Sequence, residues 1–168
     1  MVRHTKEMTL DVPDRCGVAV ARTLARLAKQ VDVALGQVDL SVSQYRVLAF
    51  LSEADGAAAS ALANRLDVSR PSITALVDGL EARHLVERRV AAQDRRRVEH
   101  RLTPGGEAAL ARADAAVARR LDVIVDQIDD ARATVAVRGV EHWSDALNVA
   151  RERFLPAPPG DTDAPGPA

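Results

Sequence analysis

The chain has few aromatic residues and one cysteine, and both shortages narrow the classes of protein to which it can belong. Phe, Trp and Tyr make up 2% of its 168 residues, whereas the hydrophobic share is 47% and consists mostly of Ala, Leu and Val. A core of small and branched aliphatic side chains favours packed helices over a β-sandwich. The single cysteine, Cys16, cannot form an internal disulfide, which is typical of a reducing compartment.

Long hydrophobic runs and the common catalytic motifs are also missing. Because no run of about 18 apolar residues occurs, we expect no contact with a membrane. The first twenty residues lack the apolar segment of a secretory signal, which indicates a cytoplasmic protein. We find no glycine-rich phosphate loop, no G-x-S-x-G and no pair of histidines at ligand spacing. We therefore expect a protein that is not an enzyme and that has no cofactor and no metal.

The charge is nearly balanced overall but unevenly distributed along the chain. The formal net charge is −1, yet residues 83–101 hold seven arginines against three acids. A compact basic stretch on a mildly acidic body predicts one local surface that faces phosphates. The alternative is a solvated, charged hairpin without a nucleic-acid partner.

Hydrophobic periodicity predicts a mainly α-helical chain with one small β-hairpin. Ser41 or Ser43 is suited to cap the second helix, and Pro104 to open the fifth. The predicted helices cover residues 14–38, 41–56, 60–66, 69–83, 104–128 and 130–154, and the predicted strands cover residues 85–90 and 98–102. Residues 1–13 and the proline-rich residues 156–168 show no periodicity, so we expect flexible or disordered tails there.

The third and fourth helices form a helix-turn-helix pattern, separated by Asp67-Val68-Ser69. Ile73, Leu76, Val77 and Leu80 share one face of the fourth helix, which leaves its other face free to enter a major groove. The candidate DNA contacts at its start are Ser69, Arg70, Pro71, Ser72, Thr74 and Ala75. Ser69 is also a suitable N-cap, and a purely structural role for Ser69 and Arg70 remains open.

The predicted hairpin carries a row of arginines at its tip. Arg95, Arg96 and Arg97 follow Asp94, and a guanidinium in such a loop can enter a narrow minor groove. We expect Asp94 to pair with Arg96 and orient it. A helix followed at once by an arginine-tipped hairpin is typical of a winged helix-turn-helix.

These residues carry a resemblance to the MarR family of bacterial transcriptional regulators. The matching segments are Ser43-Gln44-Tyr45-Arg46-Val47-Leu48, Leu62-Ala63, Ser69-Arg70-Pro71-Ser72-Ile73-Thr74, Leu76-Val77-Asp78, Leu80-Glu81, Leu85-Val86-Glu87-Arg88, Asp94-Arg95-Arg96 and Leu102-Thr103-Pro104-Gly105-Gly106. Many members carry an arginine directly after the helix threonine, where this chain has Ala75. Base readout is therefore expected to depend on Arg70, Ser72 and Thr74.

The resemblance implies a homodimer that binds a pseudo-palindromic DNA operator, in most cases as a repressor. The implied domains are a DNA-binding lobe at residues 39–103, dimerisation helices at 14–38 and 104–154, and tails at 1–13 and 155–168. The recognition helices of the two subunits would enter successive major grooves about 34 Å apart.

The resemblance also implies a small effector, aromatic or anionic, that binds where the dimer helices meet the DNA-binding lobe. The candidate ligand residues there are Arg22, Arg26, Tyr45 and Arg46, although ordinary surface or interface roles fit them as well. One branch of the family senses peroxides through a cysteine near the first helix, which makes Cys16 a candidate redox residue; a small apolar filler is the alternative. A winged helix that binds protein instead of DNA is a further alternative, which the arginine row disfavours.

Overall fold

The computed structural model describes residues 17–90 and 98–154, so the predictions for Cys16, for the hairpin tip and for both tails fall outside it. The described chain folds into six helices and one antiparallel hairpin, which confirms the predicted mainly α fold with a small wing. In chain order the elements are α1 (Val18–Gly36), α2 (Val42–Ala54), α3 (Ala59–Leu66), α4 (Arg70–Ala82), β1 (Val86–Val90), β2 (Val98–Leu102), α5 (Pro104–Val125) and α6 (Asp130–Phe154).

Side-chain caps set where the helices of the lobe begin. Ser41 caps α2 through a capping box, in which its hydroxyl accepts from the Gln44 N–H while the Gln44 side chain accepts from the Ser41 N–H. Thr103 caps α5 through a single bond, in which its hydroxyl accepts from the Gly106 N–H, and Pro104 follows in the first turn. The start of α3 has no side-chain cap, because the residue there is Ala58. Caps of this kind are each worth about 1 kcal/mol.

Three predicted helix bounds were wrong. The first helix begins at Val18 instead of Asp14, since Gly17 precedes it as an extended N-cap. The same helix stops at Gly36 because Asp39 takes a left-handed conformation in the turn that follows. The fifth helix stops at Val125 instead of Ile128. Aspartate tolerates the left-handed region better than most residues, so it can end a helix without glycine.

One apolar core lies inside the lobe, between α2, α3, α4 and the hairpin. Its largest fully buried side chains come from every one of the first four helices. They are Leu35, Val47, Leu48, Leu51, Leu62, Ile73, Val77 and Leu80. The predicted inner face of α4 is thereby confirmed.

The hairpin is held to the lobe along its second strand. β1 pairs with β2 from Val86 opposite Leu102 to Val90 opposite Val98. On its other side β2 exchanges two backbone hydrogen bonds with Ala57, whose N–H donates to the His100 carbonyl at 3.0 Å while the His100 N–H donates to the Ala57 carbonyl at 2.8 Å. The His100 side chain is buried there. The base of the wing is therefore a fixed part of the lobe.

The buried stripe of α5 lies one residue away from its predicted position. Alanines at 108, 111, 115 and 118 were expected to face inward, but they are exposed. The helix instead buries Ala109, Ala113 and Ala116. Alanine occurs on several faces of this helix, so hydrophobic periodicity alone cannot choose the inward face. Small side chains on the buried face let α1 pack along α5.

Two helices leave large apolar side chains uncovered. Within α6 the exposed set includes Val135, Val137, Val140, Trp143, Leu147 and Val149, and within α1 it includes Val18, Val20, Leu24 and Val33. Large apolar side chains exposed in this number on two helices are typical of an interface. Among the described residues, no helix combines the length and the apolar character needed to cross a bilayer.

Gly106 marks a close approach between α5 and the turn that leads into the hairpin. A Cβ at this position would collide with the backbone carbonyl of Leu85. Thr103 strengthens the same junction, since its hydroxyl donates to the His84 carbonyl at 2.6 Å. A glycine is thus required by space, and the Thr-Pro-Gly-Gly segment joins the lobe to α5.

We expect Gly106→Ala and Gly79→Ala to change stability in opposite directions. The first inserts a methyl group against backbone, which costs about 1–3 kcal/mol. The second lies inside α4 with open space around the new Cβ, so it should gain up to about 1 kcal/mol of helix propensity. Urea unfolding of both variants at one protein concentration measures the difference. Equal stability of the two variants would contradict the close approach.

Candidate nucleic-acid interface

The first turn of α4 is shaped by its serines. Ser69 is the N-cap, and its hydroxyl accepts from the Ser72 N–H at 3.3 Å and lies 2.8 Å from the Ser72 hydroxyl. Pro71 fits the first turn because an N–H there would have no helical partner. The amides of this turn and the positive end of the helix dipole are suited to a phosphate.

The predicted contact residues lie together on the exposed side of α4. Residues 69–72, Thr74 and Ala75 are all exposed. On the opposite side Ile73, Val77 and Leu80 are almost completely buried, at no more than 1% exposure. Burial of one face therefore holds the other face outward.

Arg88 ties the hairpin to α4. From β1 its guanidinium pairs with the Asp78 carboxylate and lies 3.1 Å from the Glu81 carboxylate through Nε. All three side chains are partly exposed, so each pair contributes about 1 kcal/mol or less to stability. This role of Arg88 was not predicted from the sequence. Two acids three residues apart on α4, followed by a cation in the next element, are the sequence pattern that could have indicated the pairing.

The other described arginines of residues 83–101 also make contacts inside the lobe. Arg83 donates to the Asp39 carbonyl at 2.7 Å, and Arg89 pairs with Glu87 at 2.6 Å. Arg101 pairs with Asp55 at 3.2 Å. The prediction of one phosphate-facing basic surface was therefore too broad, because much of this charge is neutralised by neighbouring acids.

The hairpin tip holds the remaining predicted DNA contacts. Asp94, Arg95, Arg96 and Arg97 lie outside the described residues, and their predicted roles stay predictions. The last described pair before the tip is Val90 and Val98. Both valines are exposed, so the hairpin projects away from the core at this end.

A cleft of about 550 Å³ lies between α2, α3 and α6. Tyr45 and Arg46 line it, together with Phe50, Arg65 and Leu147. The Arg65 guanidinium lies 5.7 Å from the centre of the Phe50 ring. The cleft thus combines an apolar wall with two guanidinium groups and two carboxylates, Glu53 and Asp67, of which Glu53 lies 3.7 Å from Arg65. Arg46 is the guanidinium that can meet the anionic end of an amphipathic ligand.

The four predicted ligand residues do not come together. Tyr45 and Arg46 line the cleft, whereas Arg22 and Arg26 are exposed on α1 and are not part of its lining. Cys16, the predicted redox residue, lies outside the described residues.

Tyr45 links the cleft to the long helix α5. Its hydroxyl donates to the Asp114 carboxylate at 2.7 Å. Burial, the hydrogen bond to Asp114 and the charge of Asp114 raise the pKa of Tyr45 to about 12 from 10.0. Because the folded-state pKa is the higher one, this stabilisation is complete below pH 10 and is lost as the pH rises toward 12.

Comparison with known proteins shows which family part of this arrangement resembles. The model for the MarR family matches residues 38–97, a segment that includes α2, α3, α4 and β1. This segment is therefore similar to the MarR family.

A curated relative extends this similarity. A proposed transcriptional regulatory protein for the hcr operon of Thauera aromatica is 40% identical over 95 residues, which is 56% of this chain and 54% of that protein. The chain therefore spans about half the length of this relative.

Solved structures extend the likeness beyond the lobe. CouR from Rhodococcus jostii, bound to p-coumaroyl-CoA, is 28% identical with a TM-score of 0.67, over 86% of this chain and 96% of that one. CouR bound to a 23-mer DNA duplex is also 28% identical, with a TM-score of 0.64, over 75% of this chain and 89% of that one. The helices outside the matched MarR segment therefore follow the same fold.

Proposed function

We propose that this chain is a member of the MarR family and a transcriptional regulator that binds a pseudo-palindromic DNA operator as a homodimer, most simply as a repressor. The observation that carries the proposal is the outward face of α4, whose capped first turn stands exposed beside a hairpin fixed to the same helix by Arg88. The major groove is wide enough to admit one α-helix. The relative CouR, which has the same fold, is known bound to a DNA duplex.

The two DNA-contacting elements have different tasks in this proposal. The start of α4, with Arg70 and the first-turn amides, approaches the bases and a neighbouring phosphate. The hairpin tip, with Arg95, Arg96 and Arg97, reaches the adjacent minor groove, and Asp94 orients Arg96.

We expect Arg96→Ala to weaken operator binding by about 1–3 kcal/mol without loss of the fold. The physical reason is the removal of one guanidinium from a groove of negative potential. Mobility-shift titrations at two salt concentrations measure the affinity and the number of counterions released, about 0.9 per contacted phosphate.

Arg132→Ala is the matched control for this experiment, because it removes the same charge near the start of α6, where the side chain is 80% exposed. It should leave operator affinity unchanged. Unchanged affinity in Arg96→Ala would remove the hairpin tip from the mechanism, and no binding to any duplex at low salt would refute DNA binding itself.

Dimerisation in this proposal uses the uncovered apolar surface of α1 and α6. A single chain gains nothing from exposing Val135, Val140 and Leu147, whose exposed fractions are 72%, 63% and 65%. A second copy would cover them, and apolar burial is worth about 25 cal/mol per Å². Two copies would also place two α4 helices on one duplex.

We expect Val140→Asp to shift the chain from dimer to monomer, because an unpaired carboxylate buried in an apolar interface is costly. Sedimentation equilibrium measures the mass. Val90→Asp is the control, since Val90 is equally exposed at 60% but lies on the hairpin. A dimer of unchanged strength in Val140→Asp, or a monomeric wild type, would contradict the proposed interface.

We further propose that the cleft between α2, α3 and α6 holds an aromatic or anionic effector that releases DNA. Arg46 and Arg65 supply positive charge, and Phe50 supplies an apolar wall. The relative CouR is known bound to p-coumaroyl-CoA. An effector here would press on α2 and on the Tyr45–Asp114 hydrogen bond, which joins the lobe to α5.

We expect p-coumarate, as an aromatic carboxylate probe, to change the fluorescence of Trp143, the single tryptophan, which adjoins the cleft residue Ser144. Arg46→Ala should weaken the binding by about 1–3 kcal/mol, the usual value of a hydrogen bond to a charged group. Arg22→Ala, which leaves the cleft lining intact, should bind as the wild type does. Equal losses in both variants, or no binding by the wild type, would contradict this site.

A further inference from the structure

The hydroxyl groups at the start of α4 are committed to their own helix. The Ser69 and Ser72 hydroxyls lie 2.8 Å apart and serve the N-cap. The Thr74 hydroxyl donates to the Arg70 carbonyl at 3.1 Å, one turn earlier. To donate to a base edge, the Thr74 hydroxyl and one of the two serine hydroxyls would first have to break these hydrogen bonds.

The acidic group on the same face is engaged as well. Asp78 follows Thr74 by one turn and pairs with Arg88 on the hairpin. Its carboxylate is therefore partly neutralised and held toward the wing, which disfavours its use as an acceptor from cytosine.

Apart from Arg70, what remains on the outward face at the start of α4 is apolar. Pro71, Thr74 and Ala75 occupy positions i, i+3 and i+4, so they adjoin one another on one exposed surface. With its hydroxyl turned to the helix backbone, Thr74 offers its methyl group, and Ala75 offers its own. Thymine is the base that presents a methyl group in the major groove, and Ala and Thr methyl groups are known ways to read it.

We propose that α4 reads its half-site chiefly through the methyl groups of thymines, contacted by Ala75 and Thr74, instead of through hydrogen bonds from the serines. This proposal rests on the proposed function, since it needs α4 in a major groove. Ala75 is then a specificity-determining residue, and the position that carries arginine in many related proteins reads a methyl group here. Arg70, the single cation of α4, binds at the edge of the same half-site.

The test replaces thymine by deoxyuridine, which removes the methyl group but keeps the base pair and its hydrogen-bonding groups. The operator is first selected from random duplexes with the full-length chain. Each thymine of one half-site is then replaced singly, and affinities are measured by fluorescence anisotropy. We expect about fourfold weaker binding for each contacted methyl group, which is the value of burying one methylene-sized group.

A double-mutant cycle assigns the contact to Ala75. In Ala75→Ser a polar hydroxyl replaces the apolar contact with the thymine methyl group. At least one deoxyuridine substitution should then no longer weaken binding. Ala82→Ser, an exposed position at the other end of α4, is the matched control and should keep every penalty. Coupling of this kind separates direct contact from an effect on DNA shape.

The possible failures are distinguishable. If the chain selects no duplex at all, DNA binding is refuted. If the chain binds its operator but every deoxyuridine substitution is neutral, or if Ala75→Ser keeps the full penalty at each thymine, DNA binding stands and methyl readout is overturned.

Discussion

The burial of one face of α4 is the constraint on which the rest of the structure depends. Ile73, Val77 and Leu80 are enclosed by the core of the lobe, and each buried aliphatic side chain is worth about 2 kcal/mol. A helix held by three such anchors cannot rotate about its axis without exposing them. The core therefore decides which positions of α4 face outward, whatever residues occupy them. Thr74 and Ala75 are thus free to vary with the operator.

Polar contacts add orientation where the core supplies stability. Arg88 joins β1 to α4, and Thr103 with Gly106 joins α5 to the turn before β1. Exposed ion pairs are individually weak. These contacts therefore serve mainly to fix the distance between the hairpin and α4. The same pairing neutralises Arg88 and Arg89 together with their acidic partners, so these two arginines add little net positive charge to the surface.

Much of this could be predicted from the sequence because the relevant signals are local. The serine caps and the inner face of α4 each depend on neighbours in the chain. The errors arose where the deciding partner is distant. The face of α5 depends on α1 and on the lobe, and alanines on several faces hide it. The role of Arg88 depends on a hairpin folding back onto α4, and the exclusion of Arg22 from the cleft depends on where α6 packs.

α5 connects the exposed apolar surface of α1 and α6 to the lobe that holds α4. α5 buries alanines against the lobe at its start and packs along α1, while Tyr45 bonds Asp114 midway along it. Any change in how two copies pack through α1 and α6 would thus be passed through α5 to the lobe, and so to the spacing of the two α4 helices. Because successive major grooves lie about 34 Å apart, a small change in that spacing would suffice to misalign one helix. A ligand beside Tyr45 would act where α5 is joined to the lobe, in a cleft whose lining residue Asp67 lies two residues before the N-cap of α4. The proposed effector would therefore have a direct physical route to the DNA-contacting helix.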